Sequence, residues 1–219
     1  MASLARRLIL AVLAATFLIS SGASAAAPEP VVHGNQIVDS ATGDQFVPHG
    51  VNFPGYEYAC KQGWNYGDDG TRPTQIASTV AGIASWNINT VRLPLNQDCW
   101  LGDDGLPAGA GHTVAGYRQS VTDFVNALNA AGIVAIVDIH WSGPDGVVAD
   151  GLRPMPDNRS PAFWSSVATT FKDNPSVIFD LFNEPHSRWN ADDTKVFGLS
   201  WDCWANGGCM APAERDLAK

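Results

Sequence analysis

Apolar positions along the chain recur with two periods, and the two periods alternate. A strand-like run at 45–53 (QFVPHGVNF) gives way to 71–87 (TRPTQIASTVAGIASWN), where Ile76, Val80 and Ile83 fall at helical spacing. A second strand is predicted at 89–95 (NTVRLPL). A helix follows over 113–132, with Val114, Tyr117, Val121, Phe124, Val125 and Leu128 on one face and Gly132 as its stop. The third pair is a strand at 133–141 (IVAIVDIHW) and a helix at 160–175, with Ser160 as N-cap, Pro161 in the first turn and Asn174-Pro175 at the end. The fourth strand is 176–182 (SVIFDLF). The last two strands are nearly continuous apolar runs, the pattern of parallel strands covered on both faces.

Strand and helix alternate with one hairpin expected, at the N-terminal HGNQIVDSATGDQF, which argues for right-handed βαβ units. A doubly wound nucleotide fold calls for a glycine-rich phosphate turn after an early strand, and GVNFPGYE contains no G-x-G-x-x-G. The connections after strands 1, 2 and 3 are several times longer than the usual 4–6 residues or so, whereas the helix-to-strand returns are minimal. Long loops at the strand C-termini and tight returns at the other end are the anatomy of a (β/α)8 TIM barrel. A complete barrel takes about 250 residues, and this chain of 219 residues carries four units. The expected fold is therefore α/β, with the first four βα units of a (β/α)8 barrel.

Composition adds a compartment. Arg6-Arg7, the apolar stretch Leu8–Ile19 and Ala23-Ser24-Ala25 have the layout of a signal peptide over residues 1–25, with the catalytic domain expected over 26–219. The protein is then secreted, with no membrane attachment after cleavage. A net charge of −9 and the lack of a basic stretch argue against nucleic acid as a partner. In an oxidising compartment the four cysteines read as disulfides. Cys203 and Cys209 enclose only WANGG and are expected to pair locally, which leaves Cys60 with Cys99. No C-x-x-C spacing supports a metal site, and no cofactor is called for.

Polar residues cluster where the apolar strands end: Asn52, Arg92, Asp138 with His140, and Asn183-Glu184. One such residue would be an ordinary satisfied core group. Four consecutive strands each carrying one is the pattern of a barrel cup where catalytic groups converge. An ionised carboxylate directly after an apolar strand is costly unless it is paired or has a chemical role.

SVIFDLFNEPH, with NTVRLPLN, VDIHW and HGVNFPG, resembles glycoside hydrolase family 5, the cellulase family, over most of the chain after residue 25. The resemblance implies a secreted glycosidase acting on a β-1,4-glucan by a retaining, two-carboxylate mechanism, with mannan or another β-glucan as the second choice of polysaccharide. It implies Glu184 as general acid/base, Asn183 as a contact to the sugar 2-hydroxyl, and Arg92 and His140 as residues steering the second carboxylate. Protonating a poor glycosidic leaving group requires a carboxylic acid, which gives a reason for Glu184 at that strand end. Tyr58, Trp64, Trp100, Trp141, Trp189, Trp201 and Trp204 lie in strand-end loops, where flat faces suit pyranose rings. Trp141, Trp64, Tyr58 and Asn52 are the substrate contacts expected first.

The family's nucleophile belongs to strand 7, and no residue here is assigned that role: Glu57 sits in the first loop and Glu214 near the C-terminus. The expectation is a monomeric glucanase impaired by a missing nucleophile. The alternatives are a noncatalytic carbohydrate-binding remnant, or a half barrel with exposed edges that does not stay folded alone.

Overall fold

The computed structural model describes residues 26–64, 66–67, 71–102, 113–144, 146, 148–189, 192 and 194–207. The expected signal peptide and Cys209 lie outside the described residues. The N-terminal hairpin forms as β1 (Pro30–His33) and β2 (Gln36–Asp39). Then come β3 (Gly50–Asn52), α1 (Ala59–Gln62), α2 (Ile76–Ala84), β4 (Thr90–Asn96), α3 (Gln97–Leu101), α4 (Val114–Ala130), β5 (Val134–Trp141), α5 (Ser160–Phe171) and β6 (Val177–Asp180). A short antiparallel pair, β7 (Arg188–Trp189) with β8 (Lys195–Phe197), precedes α6 (Trp201–Asn206). The central sheet is parallel throughout, in the order β3-β4-β5-β6. Sequential neighbours in one parallel sheet, each joined through a helix, are the βα succession of a (β/α)8 barrel.

The register explains the burial. Val91, Leu93 and Leu95 of β4, with Ala135, Val137 and Ile139 of β5, share the outer face and pack against Val80 and Ile83 of α2, Tyr117, Val121, Phe124, Val125 and Leu128 of α4, and Phe163, Val167 and Phe171 of α5. Fully burying such side chains is worth about 1.5–3 kcal/mol each. The residues between them point to the inner face in two layers. Asn52, Arg92, Ile136 and Ile178 are in register across the four strands, and Pro94, Asp138 and Asp180 form the next layer toward the strand C-termini.

Four expectations are corrected. Of the run 45–53, only Gly50–Asn52 joins the parallel sheet; Gln45 bridges Val38 and the Phe46 N–H donates to Ile37 O at 2.8 Å, so the front of the run extends the hairpin. Ser160 is not the N-cap of α5. Arg159 holds that position without a side-chain bond, and the Asp157 carboxylate before it accepts the backbone N–H groups of Arg159 at 2.8 Å and Ser160 at 3.1 Å. The fourth strand is not covered on both faces: β6 is the edge of the described sheet, and Phe179 and Leu181 are exposed there. Finally, β7 and β8 form a second strand-to-strand pair in a segment too polar to announce one.

Cys60 of α1 and Cys99 of α3 are bonded as expected, with Cα atoms 6.3 Å apart. Their loops follow adjacent strands and so meet over one rim. Cys203 is also disulfide-bonded.

Gly50 shows how closely β3 approaches β4: a Cβ there would collide with the backbone carbonyl of Thr90. Neither strand can move aside without breaking its ladder. Gly50→Ala is expected to cost about 3 kcal/mol, read as a lower urea midpoint with an unchanged slope.

Candidate active site

Arg92 rises from the lower inner layer of β4 into the upper one. Its Nη2 donates to Asp138 Oδ2 at 2.9 Å, Asp180 Oδ2 at 2.9 Å and Asn183 Oδ1 at 3.0 Å, and its Nε donates to Asp180 Oδ2 at 3.2 Å. One guanidinium thus joins β4 to β5, β6 and the turn after β6. A guanidinium, with several N–H donors in a fixed fork, can serve all three from one side chain. His140 Nδ1 lies 2.9 Å from Asp138 Oδ2. Asp138 is fully buried, and burial pushes its carboxyl above the usual range, against the opposing pull of the His140 hydrogen bond and Arg92.

Asn183 is 4% exposed, and its backbone N–H donates to Ile139 O at 2.9 Å. Because Arg92 claims the amide oxygen, the amide nitrogen is directed elsewhere. Nδ2 is a buried donor with no protein acceptor among the described residues, and Asp138 Oδ1 is a buried acceptor in the same condition. Buried polar atoms are nearly always paired, so an unpaired donor and an unpaired acceptor on two residues bound to Arg92 stand out.

Glu184 follows directly and is exposed, with φ at +49°. A residue with a Cβ rarely adopts this left-handed conformation, which costs of order 1–3 kcal/mol when it is imposed. It is imposed from both sides: Asn183 is pinned to Ile139, and the His186 N–H donates to Pro154 O at 3.1 Å. His186 Nδ1 also lies 2.8 Å from Glu184 O. The strand before Glu184 is the edge of the described sheet, and Leu181 and Glu184 are both exposed there.

Arg92, His140 and Asn183 are therefore brought together through Asp138, with Glu184 one residue beyond them. Asn52 is the β3 residue in register with Arg92 and is exposed. Tyr58, Trp64 and Trp141 form a separate aromatic group on the rim, with Tyr58 5.7 Å from Trp64 and 6.4 Å from Trp141 between ring centroids. Trp100 is fully buried and packs on Tyr117 and Phe163, so it belongs to the core rather than to a binding surface.

Glu57 is the residue that sequence reasoning undervalued. It is buried at 6% exposure, and its Oε2 accepts the Gly55 N–H at 2.6 Å. Burial raises its carboxyl, with His140 and Asp138 among the charges that act on it. Its own carbonyl accepts Asn96 Nδ2 at 2.8 Å, and that same Asn96 side chain caps α3 by accepting from Asp98 and Cys99. No local pattern distinguishes this glutamate from an ordinary loop carboxylate.

A family model described as Cellulase (glycosyl hydrolase family 5) matches residues 40–207, which contain all of these groups. The chain belongs to glycosyl hydrolase family 5. It is similar to endo-beta-1,4-glucanase B of Emericella nidulans, 32% identical over 136 residues that cover 62% of this chain and 37% of that protein. Endoglucanase 1 of Saitozyma flava is 28% identical over 156 residues, covering 68% and 42% respectively. An endocellulase from Pyrococcus horikoshii, solved in complex with cellotetraose, superposes with a TM-score of 0.58 at 20% identity, covering 85% of this chain and 52% of that one. The chain thus spans about two fifths of these curated relatives and about half of the solved structure, and its partial family 5 barrel is endoglucanase-like in sequence.

Two predictions follow from the network. Arg92→Met leaves Asp138 buried with only His140 to compensate it, and is expected to cost about 3 kcal/mol in urea unfolding, the low end for breaking a buried ion pair. The second concerns pH. Glu57, Asp138 and Asp157 all have carboxyls raised by burial, so the folded state holds these protons more tightly than the unfolded chain does. Their contribution to stability is greatest below the unfolded carboxylate range and is lost as pH rises through the folded values. Stability is expected to fall as pH rises from the unfolded carboxylate range toward neutrality. Glu57→Gln, which keeps an oxygen for Gly55, should raise the neutral-pH urea midpoint and flatten that slope.

Proposed function

We propose that this chain carries the acid/base side of a secreted endo-β-1,4-glucanase that acts by a retaining mechanism. The observation that carries the reading is Asn183: a buried amide oriented by Arg92, with an unpaired donor, one residue before a glutamate held in a left-handed turn at the end of a barrel strand. Glu184 is the general acid. It gives its proton to the glycosidic oxygen as the bond to the anomeric carbon breaks, and takes a proton from water in the second step. Asn183 Nδ2 donates to the sugar 2-hydroxyl, a bond that strengthens as positive charge develops on the ring.

Arg92 and His140, both tied to Asp138, steer the second carboxylate, which attacks the anomeric carbon from the opposite face. A retaining pair stands about 5–5.5 Å apart. No carboxylate of this chain is assigned as that nucleophile: Asp138 and Asp180 are paired with Arg92, and Glu57 is turned to Gly55. Tyr58, Trp64, Trp141 and Asn52 line the path of the glycan. The endoglucanases among the relatives support β-1,4-glucan ahead of mannan as substrate. The exit signal read in residues 1–25 supports secretion.

The purified 219-residue chain is expected to hydrolyse carboxymethyl-cellulose very weakly, and a chimera extended with the later strands of a family 5 relative is expected to hydrolyse it well. In that chimera Glu184→Gln should lower kcat by about 10²–10⁴-fold. Strong hydrolysis by the 219-residue chain would show that one of its own carboxylates is the nucleophile. An unaffected Glu184→Gln chimera would remove Glu184 from the chemistry.

A further inference from the structure

A second aromatic surface lies on the other side of Glu184 from the Tyr58–Trp64–Trp141 group in sequence, in the segment after β8. A cavity of about 510 Å³ is lined by Pro185, Leu199, Ser200, Trp201 and Trp204. Trp201 is 87% exposed, the most open of the large apolar side chains among the described residues. An indole left in water forgoes the stabilisation its burial would bring, so its exposure calls for an occupant.

The base beneath it is firm. Ser200 caps α6, its Oγ accepting the Cys203 N–H at 3.1 Å. Cys203 is fully buried with Phe197 and Met155, and Trp204 packs on Phe182 at 6.4 Å between ring centroids. Trp201 therefore projects from an anchored turn and not from a loose one.

We propose that Trp201, walled by Pro185, Ser200 and Trp204, is a stacking platform for one pyranose ring of a β-1,4-glucan chain immediately beside the acid. Three features select that occupant. The cavity takes in Pro185, the residue directly after Glu184 and one Cα step of about 3.8 Å from it. Its described lining holds no charged side chain, which fits a neutral ligand. It pairs a flat apolar face with one hydroxyl: Ser200 Oγ spends an acceptor position on Cys203 and keeps its proton for a sugar oxygen. Pockets of this size, mostly apolar with a few placed polar groups, are the usual form of small-ligand sites.

The platform rests on the glucanase reading, and its test is separable from that reading because it measures binding without hydrolysis. Cellotetraose is titrated into the full chain by calorimetry. Trp201→Ala is expected to weaken binding about tenfold, equivalent to about 1.4 kcal/mol, and Trp201→Phe to retain most of the affinity. Trp86→Ala removes an indole 64% exposed in the return between α2 and β4, at the opposite end of the strands, and should change nothing. Equal affinity of Trp201→Ala and the unaltered chain overturns the platform and leaves the glucanase reading standing. A lowered melting temperature in Trp201→Ala with unchanged affinity overturns it in favour of a packing role. No cellotetraose binding by the unaltered chain overturns it as well, and the Glu184→Gln chimera then decides the glucanase reading by itself.

Discussion

The inner face of the sheet depends on one cation. Arg92 stands in a layer otherwise made of Asn52, Ile136 and Ile178, and it alone reaches the layer above. There it meets a fully buried carboxylate, a half-exposed one and an amide, on two further strands and the turn beyond them. Taking Asp138 out of water is tolerable because a positive charge sits 2.9 Å away. The same guanidinium donates to the Asn183 amide oxygen and so orients that side chain. A structural ion pair and the orientation of a functional group are here one arrangement.

Around this centre the rim is tied by a few buried polar groups rather than by regular structure. Asn96 ends β4, caps α3, and holds the carbonyls of Glu57 and Ala149, so three segments share one side chain. Gln97 and Asp157 join α3 to the start of α5, and Arg159 pairs with Asp98 in the same buried cluster. The Cys60–Cys99 bond adds a covalent tie between α1 and α3. Long loops over a barrel end are expensive to order, and buried hydrogen-bonded networks give each a single position. Aromatic rings such as Tyr58 and Trp141 are carried at fixed places on that rim.

The left-handed turn at Glu184 belongs to the same logic. Strain at a strand end persists when hydrogen bonds on either side determine it, and Asn183 to Ile139 and His186 to Pro154 are such bonds. The segment that follows is not a featureless connection. It forms a small antiparallel pair and a capped helix that set an exposed indole in one cavity with Pro185.

The sequence by itself determined the succession of four βα units, because the periods of apolar residues differ between strand and helix and Gly132 and Asn174-Pro175 punctuate them. It also determined the candidate residues Arg92, His140, Asn183 and Glu184, because polar groups at the ends of apolar strands stand out against their background, and the Cys60–Cys99 pairing, because the alternative partners lay six residues apart. Only the tertiary structure decided the rest. That β6 is the edge of the described sheet depends on what stands beside it, not on its own apolar residues. That Arg159 and not Ser160 holds the N-cap position of α5, with the Asp157 carboxylate accepting from both, depends on a turn whose hydrogen bonds are invisible in composition. Glu57 and Trp201 are the clearest cases. A loop glutamate became buried and a loop tryptophan remained in solvent, against the ordinary preference of each, because burial is set by neighbours brought from distant parts of the chain and local residue type carries no record of them.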